Sequence, residues 1–279
     1  MANTEGQLAL VFAPQRDGVR ADKLAYYLLK AVNKAIRYYR MLADGDRVLV
    51  AVSGGKDSLT LLDLLHRRAQ SAPEHYQLLA GTVRTDFHCG QTVSEAWLRA
   101  WCEAQHIPLI CEEIHIAEEL ARTTTVSRCF RCAWLRRKAL FQMAGRLGCN
   151  KLAFGHHADD IAETTLMNLF YNARIQRMAP KMSFFGGQFV VIRPLAFVEE
   201  RDIVPFVQAS GFPIAGEPCP EGLRSRRNVI KRLLREIESD VHHVKRHIYR
   251  AVERYEISLL EARRQGTCDA ELTVDVTDR

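Results

Sequence analysis

The chain predicts an α/β fold: a parallel β-sheet with helices on both faces, followed by a helical C-terminal region. Three observations carry this expectation. Residues 47–52 form a short, nearly continuous apolar run, as a strand buried on both faces requires. A glycine turn, Gly54-Gly55, follows directly and leads into helical periodicity. Strand-like and helix-like segments then alternate as far as residue 210, the order that builds parallel sheets.

Taken in order, residues 8–13 read as a strand and 24–41 as a helix, with apolar positions returning every three or four residues. The strand at 47–52 is followed by helix 58–68, strand 76–84, helix 92–105 and strand 107–111. Helix 132–147, strand 151–155, helix 161–171, strand 189–192 and helix 200–210 complete the alternation. After Pro220 the sequence becomes long, charged and helix-like, with a mobile tail expected from Gln265. The expected division is therefore 1–45, an N-terminal segment and helix; 46–219, the sheet domain; and 220–279, a basic helical region and tail. In such sheets ligands bind beyond the carboxyl ends of the strands. The turns after Val52 and after Phe154 should share that edge.

A composition of 47% hydrophobic and 26% charged residues supplies a sizeable core and excludes a disordered chain. No apolar run approaches the roughly 18 residues of a membrane span, and the N-terminus lacks a secretory pattern, so a cytoplasmic protein without a membrane partner is expected. In that setting eight cysteines argue against a disulfide framework. Cys89, Cys102, Cys111, Cys149 and Cys268 show no ligand-like pairing and read as buried, inert thiols. The net charge is +6, with basic residues crowded at 128–138 and 224–264. Such clusters suit a polyanion, or a solvated helical face neutralised by Glu236, Glu238 and Asp240.

The sharpest local pattern is Ser53-Gly54-Gly55-Lys56-Asp57-Ser58, between a buried strand and a helix. Adjacent glycines admit an anion close to the backbone, and the helix start offers unpaired N–H groups and a positive dipole end. Ser53 and Ser58 add hydroxyls, and Lys56 adds countercharge. A Walker loop would place Ser or Thr directly after the lysine; here Asp57 intervenes. These six residues resemble the PP-loop of ATP pyrophosphatases, which split ATP into AMP and pyrophosphate. The resemblance implies the PP-loop version of the α/β fold, Rossmann-like and similar to the adenine nucleotide alpha hydrolases. It implies ATP binding by Ala51, Val52 and residues 53–58, catalytic roles for Lys56 and Asp57, and Mg²⁺ on Asp57.

A second segment, Gly155-His156-His157-Ala158-Asp159-Asp160-Ile161-Ala162-Glu163-Thr164, resembles the GHHxDDxxET motif of the tRNA-modifying branch of that family. By this resemblance Gly155 lies against the nucleotide, His156 contacts phosphate, and Asp160 holds ATP or its Mg²⁺. His157 is equally a structural histidine. Thr82 and Val83, at the end of the second strand, are placed to border the adenine.

Cys129-Phe130-Arg131-Cys132 opens a helix, and Cys219 stands between two prolines far along the chain. A CxxC pair alone reads as a zinc site, a redox pair or iron–sulfur ligands. Two close cysteines and one distant one resemble the tRNA 2-thiocytidine synthetases and their 2-thiouridine relatives, over about residues 23–219. That resemblance implies a [4Fe–4S] cluster on Cys129, Cys132 and Cys219. Cysteines of the terminal zinc fingers found in many 2-thiouridine relatives are missing from this sequence, which tilts the reading toward 2-thiocytidine. Arg136, one turn beyond Cys132, matches a basic catalytic residue of relatives; binding a tRNA phosphate is its other reading. Arg137, Lys138, Arg224, Arg226, Arg227, Lys231 and Arg232 are expected to grip tRNA.

The implied reaction adenylates the 2-oxo group of an anticodon-loop pyrimidine, cytidine before uridine, and replaces oxygen with sulfur. A sulfur donor such as a cysteine desulfurase or sulfide is then a partner, and a homodimer is compatible with this reading. The competing functions are a PP-loop enzyme that amidates a small molecule and a zinc-stabilised tRNA-binding protein that senses ATP.

Overall fold

The computed structural model describes residues 16–86, 92–123, 127–217 and 225–264. Residues 8–13, Cys89, Cys219, Arg224 and the tail from Gln265 lie outside them. Helix α1 (Gly18–Tyr39) precedes strand β1 (Arg47–Ala51), helix α2 (Lys56–Ala69) and strand β2 (Gln77–Thr85). Helix α3 (Glu95–Ala104), strand β3 (Leu109–Ile114), the short α4 (Ala117–Arg122) and α5 (Arg128–Arg146) follow. Then come β4 (Lys151–Ala153), α6 (Ala158–Asn172), β5 (Lys181–Phe184), β6 (Phe189–Ile192) and α7 (Glu200–Ser210). Helices α8 (Arg226–Asp240) and α9 (Val244–Arg264) end the described chain.

The six strands lie in the order β3-β2-β1-β4-β6-β5. All pair in parallel except β5, which runs antiparallel to β6. Strand β1 is central, and its alternation feeds two cores. Val48, Val50 and Val52 pack with Val32 and Ile36 of α1, Leu62 and Leu65 of α2, and Ile203 and Phe206 of α7. Leu49 and Ala51 face the other way, toward Leu140 and Met143 of α5, with Leu152 and Val191. Burial on both faces explains why β1 reads as an unbroken apolar run rather than an alternating one.

The described residues group into two compact units: one from 1–157 and 180–223, the other from 158–179 and 224–279. The second unit therefore takes α6 as well as the C-terminal helices, a discontinuous grouping unlike the stretches 1–45, 46–219 and 220–279 read from sequence. Its interior is Ile161 and Ala162 of α6, Ile230 and Leu234 of α8, and Tyr249 and Val252 of α9. No described helix is long and apolar enough to cross a membrane.

Several element boundaries shift for local reasons. α1 begins at Gly18 rather than residue 24, because the Asp17 side chain accepts the Arg20 N–H at 3.1 Å and caps the helix. Ser127 caps α5 in the same way, accepting from the Phe130 N–H at 3.3 Å, so both Cys129 and Cys132 are helical. Strand β5 and helix α4 were not expected. β5 forms a hairpin with β6 across Gly186 and Gly187, both at positive φ (65° and 95°). The C-terminal helical run breaks at His243, which takes φ 66° between α8 and α9.

Candidate active site

The loop after β1 is shaped by its backbone. Val52 N–H donates to the Gly81 carbonyl of β2 at 2.8 Å, carrying β1 to its end. Gly54 turns at φ 82°, and its carbonyl accepts the Val93 N–H at 3.0 Å. A Cβ on Gly54 would stand 3.1 Å from that of Thr92. Gly55 is the N-cap of α2 and gives no side-chain cap, which leaves the first-turn N–H groups available to an anion. The hydroxyls brace the turn: Ser58 Oγ donates to the Gly55 carbonyl at 2.9 Å and lies 3.2 Å from Ser53 Oγ, which accepts the Gly55 N–H at 3.3 Å.

Gly155, beyond β4, presses against the same helix start. A Cβ there would come within 2.9 Å of the Asp57 carbonyl group and 3.0 Å of the Ser58 nitrogen, so glycine is required by close backbone approach. His157 is buried, with Nε2 3.7 Å from Asp57 Oδ1. Arg193 Nε donates to His156 Nδ1 at 3.3 Å. Lys56 Nζ lies 3.0 Å from Asp57 Oδ2 and 2.7 Å from Glu200 Oε1 at the start of α7. Burial opposes the lysine's charge, but the Asp57 and Glu200 carboxylates outweigh it and hold the pKa above its ordinary value. Thr82 is buried and Val83 half-buried, both past the Ala51–Gly81 pairing and so beyond the end of β1.

Cys129 and Cys132 are half-buried cysteines in the first turns of α5, three residues apart and on one helical face. One turn on, Arg136 Nη2 donates to Thr85 Oγ1 at 3.4 Å, tying this helix to the carboxyl end of β2. Arg136 Nε is buried and has no hydrogen-bond partner among the described residues, leaving a donor for an anionic group. Arg137 and Lys138 are exposed. Among the described residues no three His, Cys, Asp or Glu side chains form a metal site. Cys219, the third thiol read from sequence, lies outside the described residues. The two described thiols still fit an iron–sulfur group by donor chemistry, being soft ligands at the positive end of a helix.

The acidic half of the second motif belongs to the second unit. Arg227 Nη1 donates to Asp160 Oδ1 at 3.0 Å and Glu163 Oε2 at 3.2 Å, and Nη2 to Thr164 Oγ1 at 3.2 Å. Lys231 lies 3.6 Å from Glu163, and Lys245 2.7 Å from Asp159. Arg227 and Lys231, expected on tRNA, thus point at carboxylates of their own unit, while Arg226 and Arg232 are exposed. Glu200, Arg193 and Lys245 were not foreseen. Glu200 left one sequence trace, its place in the first turn of an amphipathic helix.

A backbone-built phosphate loop at the carboxyl edge of a parallel sheet defines a PP-loop domain, and the profile described as "PP-loop domain" matches residues 23–237. A tRNA-cytidine(32) 2-sulfurtransferase of Geobacter sulfurreducens is 40% identical over 258 residues, 89% of this chain and 98% of that protein. One from Syntrophotalea carbinolica is 41% identical over 80% of this chain and 87% of its own. The chain belongs to the tRNA-cytidine(32) 2-sulfurtransferase family. Among solved structures, the U34-tRNA thiolase NcsA from Methanococcus maripaludis, described with its [4Fe-4S] cluster, shares the fold. It superposes with a TM-score of 0.67 at 22% identity, over 84% of this chain and 79% of that one.

Proposed function

We propose that this chain is a tRNA sulfurtransferase that uses ATP to convert cytidine 32 of tRNA into 2-thiocytidine. The base and its position follow the names of its relatives. The observation that carries the chemistry is the contact of Gly155 with the Asp57 backbone, which joins two motifs into one anion cradle. A pyrimidine 2-oxo group leaves poorly. Its oxygen would attack the α-phosphorus of ATP, releasing pyrophosphate, and AMP would then leave as a sulfur nucleophile attacks C2.

In this reading the first-turn N–H groups of α2 hold the departing pyrophosphate, and Lys56 offsets its growing charge. Lys56 must first exchange its Glu200 and Asp57 partners for phosphate. Asp57 is the Mg²⁺ ligand. Asp160 is proposed as a Mg²⁺ ligand from the resemblance of its motif, a role that requires its pairing with Arg227 to loosen. Arg136, with its unused donor, holds the α-phosphate or the tRNA backbone. Cys129, Cys132 and Cys219 would hold a [4Fe–4S] cluster, whose iron left without a thiolate supplies a binding place for sulfur. The sulfur source is sulfide, or a desulfurase persulfide together with a thiol reductant that cleaves its S–S bond and leaves as a mixed disulfide.

Anaerobically reconstituted protein given tRNA, ATP, Mg²⁺ and a sulfur source tests this. AMP, pyrophosphate and 2-thiocytidine should form in equal amounts. Turnover of ATP that depends on ammonia and ignores tRNA would point to an amidating enzyme instead.

A further inference from the structure

The end of α6 carries a surface feature that the nucleotide chemistry does not use. Leu169, Phe170 and Tyr171 are 44%, 56% and 39% exposed, and Ile175 is 50% exposed. Four large apolar side chains are thus exposed within seven residues, and exposed apolar surface concentrated in one segment marks a contact site. The segment is pinned. Arg174 N–H donates to the Asn168 carbonyl at 3.0 Å, and Asn168 Nδ2 donates to the Gln176 carbonyl at 2.8 Å. Asn172 Nδ2 donates to Asn168 Oδ1 at 3.1 Å, and Ala173 adopts φ 51° to complete the reversal. The apolar groups are therefore held out toward solvent by a fixed backbone, which lowers the entropy lost on binding.

The surroundings are cationic. The Arg226 guanidinium stands 4.8 Å from the centre of the Tyr171 ring, and Arg174 and Arg232 are exposed. On the same helix Arg227 and Lys231 turn to Glu163. α8 thus divides its cations between an internal lock and an outward face. We infer that the end of α6 and the outward face of α8 form a stacking platform for unpaired RNA nucleotides, with Phe170 and Tyr171 receiving bases and Arg226 the backbone. Rings beside guanidinium groups match a strand that presents π-faces and phosphates alternately. This rests on the tRNA-substrate reading and adds residues that hold unpaired nucleotides of that tRNA.

The test is the affinity of the full chain for fluorescently labelled tRNA, measured by anisotropy over a range of salt. Phe170→Ala and Tyr171→Ala should each weaken binding by about 5- to 150-fold, the span expected for one lost base stack. The slope of log affinity against log salt should not change. Tyr171→Phe should bind as wild type. Arg226→Ala should weaken binding and flatten the slope by about 0.7, one phosphate on a single strand. Unchanged thermal midpoints separate a lost platform from a lost fold. Wild-type affinity in all the alanine variants overturns the inference. So does a dimer that the aromatic variants dissociate without altering tRNA affinity, since the patch would then join two copies. If wild type itself ignores tRNA, the substrate reading falls and the platform with it.

Discussion

The two motif segments present their chemistry in opposite ways. The loop at residues 53–58 works through backbone: glycines at fixed places, first-turn N–H groups left open, and a second glycine pressed against them. The acidic segment at 159–164 works through side chains, each answered by a cation from α8 or α9. Backbone devices are local, so their residues are contiguous and their order is the message. Side-chain devices need partners, and these stand more than sixty residues further along the chain. The first region should therefore govern turnover, and the second should govern stability as much as turnover.

The largest effect is expected where charge develops. Asp57→Asn and Lys56→Ala should each lower AMP formation by about 10²–10³-fold while the unfolding midpoint barely moves. A large stability loss in either would break the contrast. Gly155→Ala comes next. Its Cβ must displace the start of α2, and an error of roughly 1 Å there should cost about 10²-fold in turnover with a raised KM for ATP.

Arg227→Ala should act on the second region. It strips a partner from Glu163, whose side chain is 3% exposed, and should lower unfolding free energy by about 1–3 kcal/mol in denaturant titration. Arg227→Lys should recover only part, because one ammonium cannot reach Asp160, Glu163 and Thr164 as a fork does. The smallest effect is at Cys102. Burial pushes its thiol up to about 11, so at pH 8 it is almost wholly protonated and should resist alkylation until the chain unfolds. Mass spectrometry of alkylated native protein checks this.

How much was legible follows the same contrast. The parallel sheet and its ligand edge could be argued from sequence because residues 48–52 are apolar throughout and the glycine turn marks the end of that strand. Strand β5 was missed because residues 181–184 are short and lie at the sheet edge, though Gly186-Gly187 marked the hairpin. The break at His243 left no glycine or proline to read. The pairing of Arg227 with Asp160 was invisible, since an arginine in a basic run reads equally as a phosphate ligand. Glu200 facing Lys56 escaped for the same reason: a long-range contact between common residue types carries no local pattern.

The central claim is that the thiols of α5 and the loop after β1 serve one thiolation reaction. It is tested most directly by mass spectrometry of tRNA nucleosides from cells lacking this gene and complemented with wild type, Asp57→Asn or Cys132→Ser. Wild type should restore 2-thiocytidine, and neither variant should. Full restoration by Cys132→Ser, or 2-thiocytidine that persists without the gene, would contradict the account.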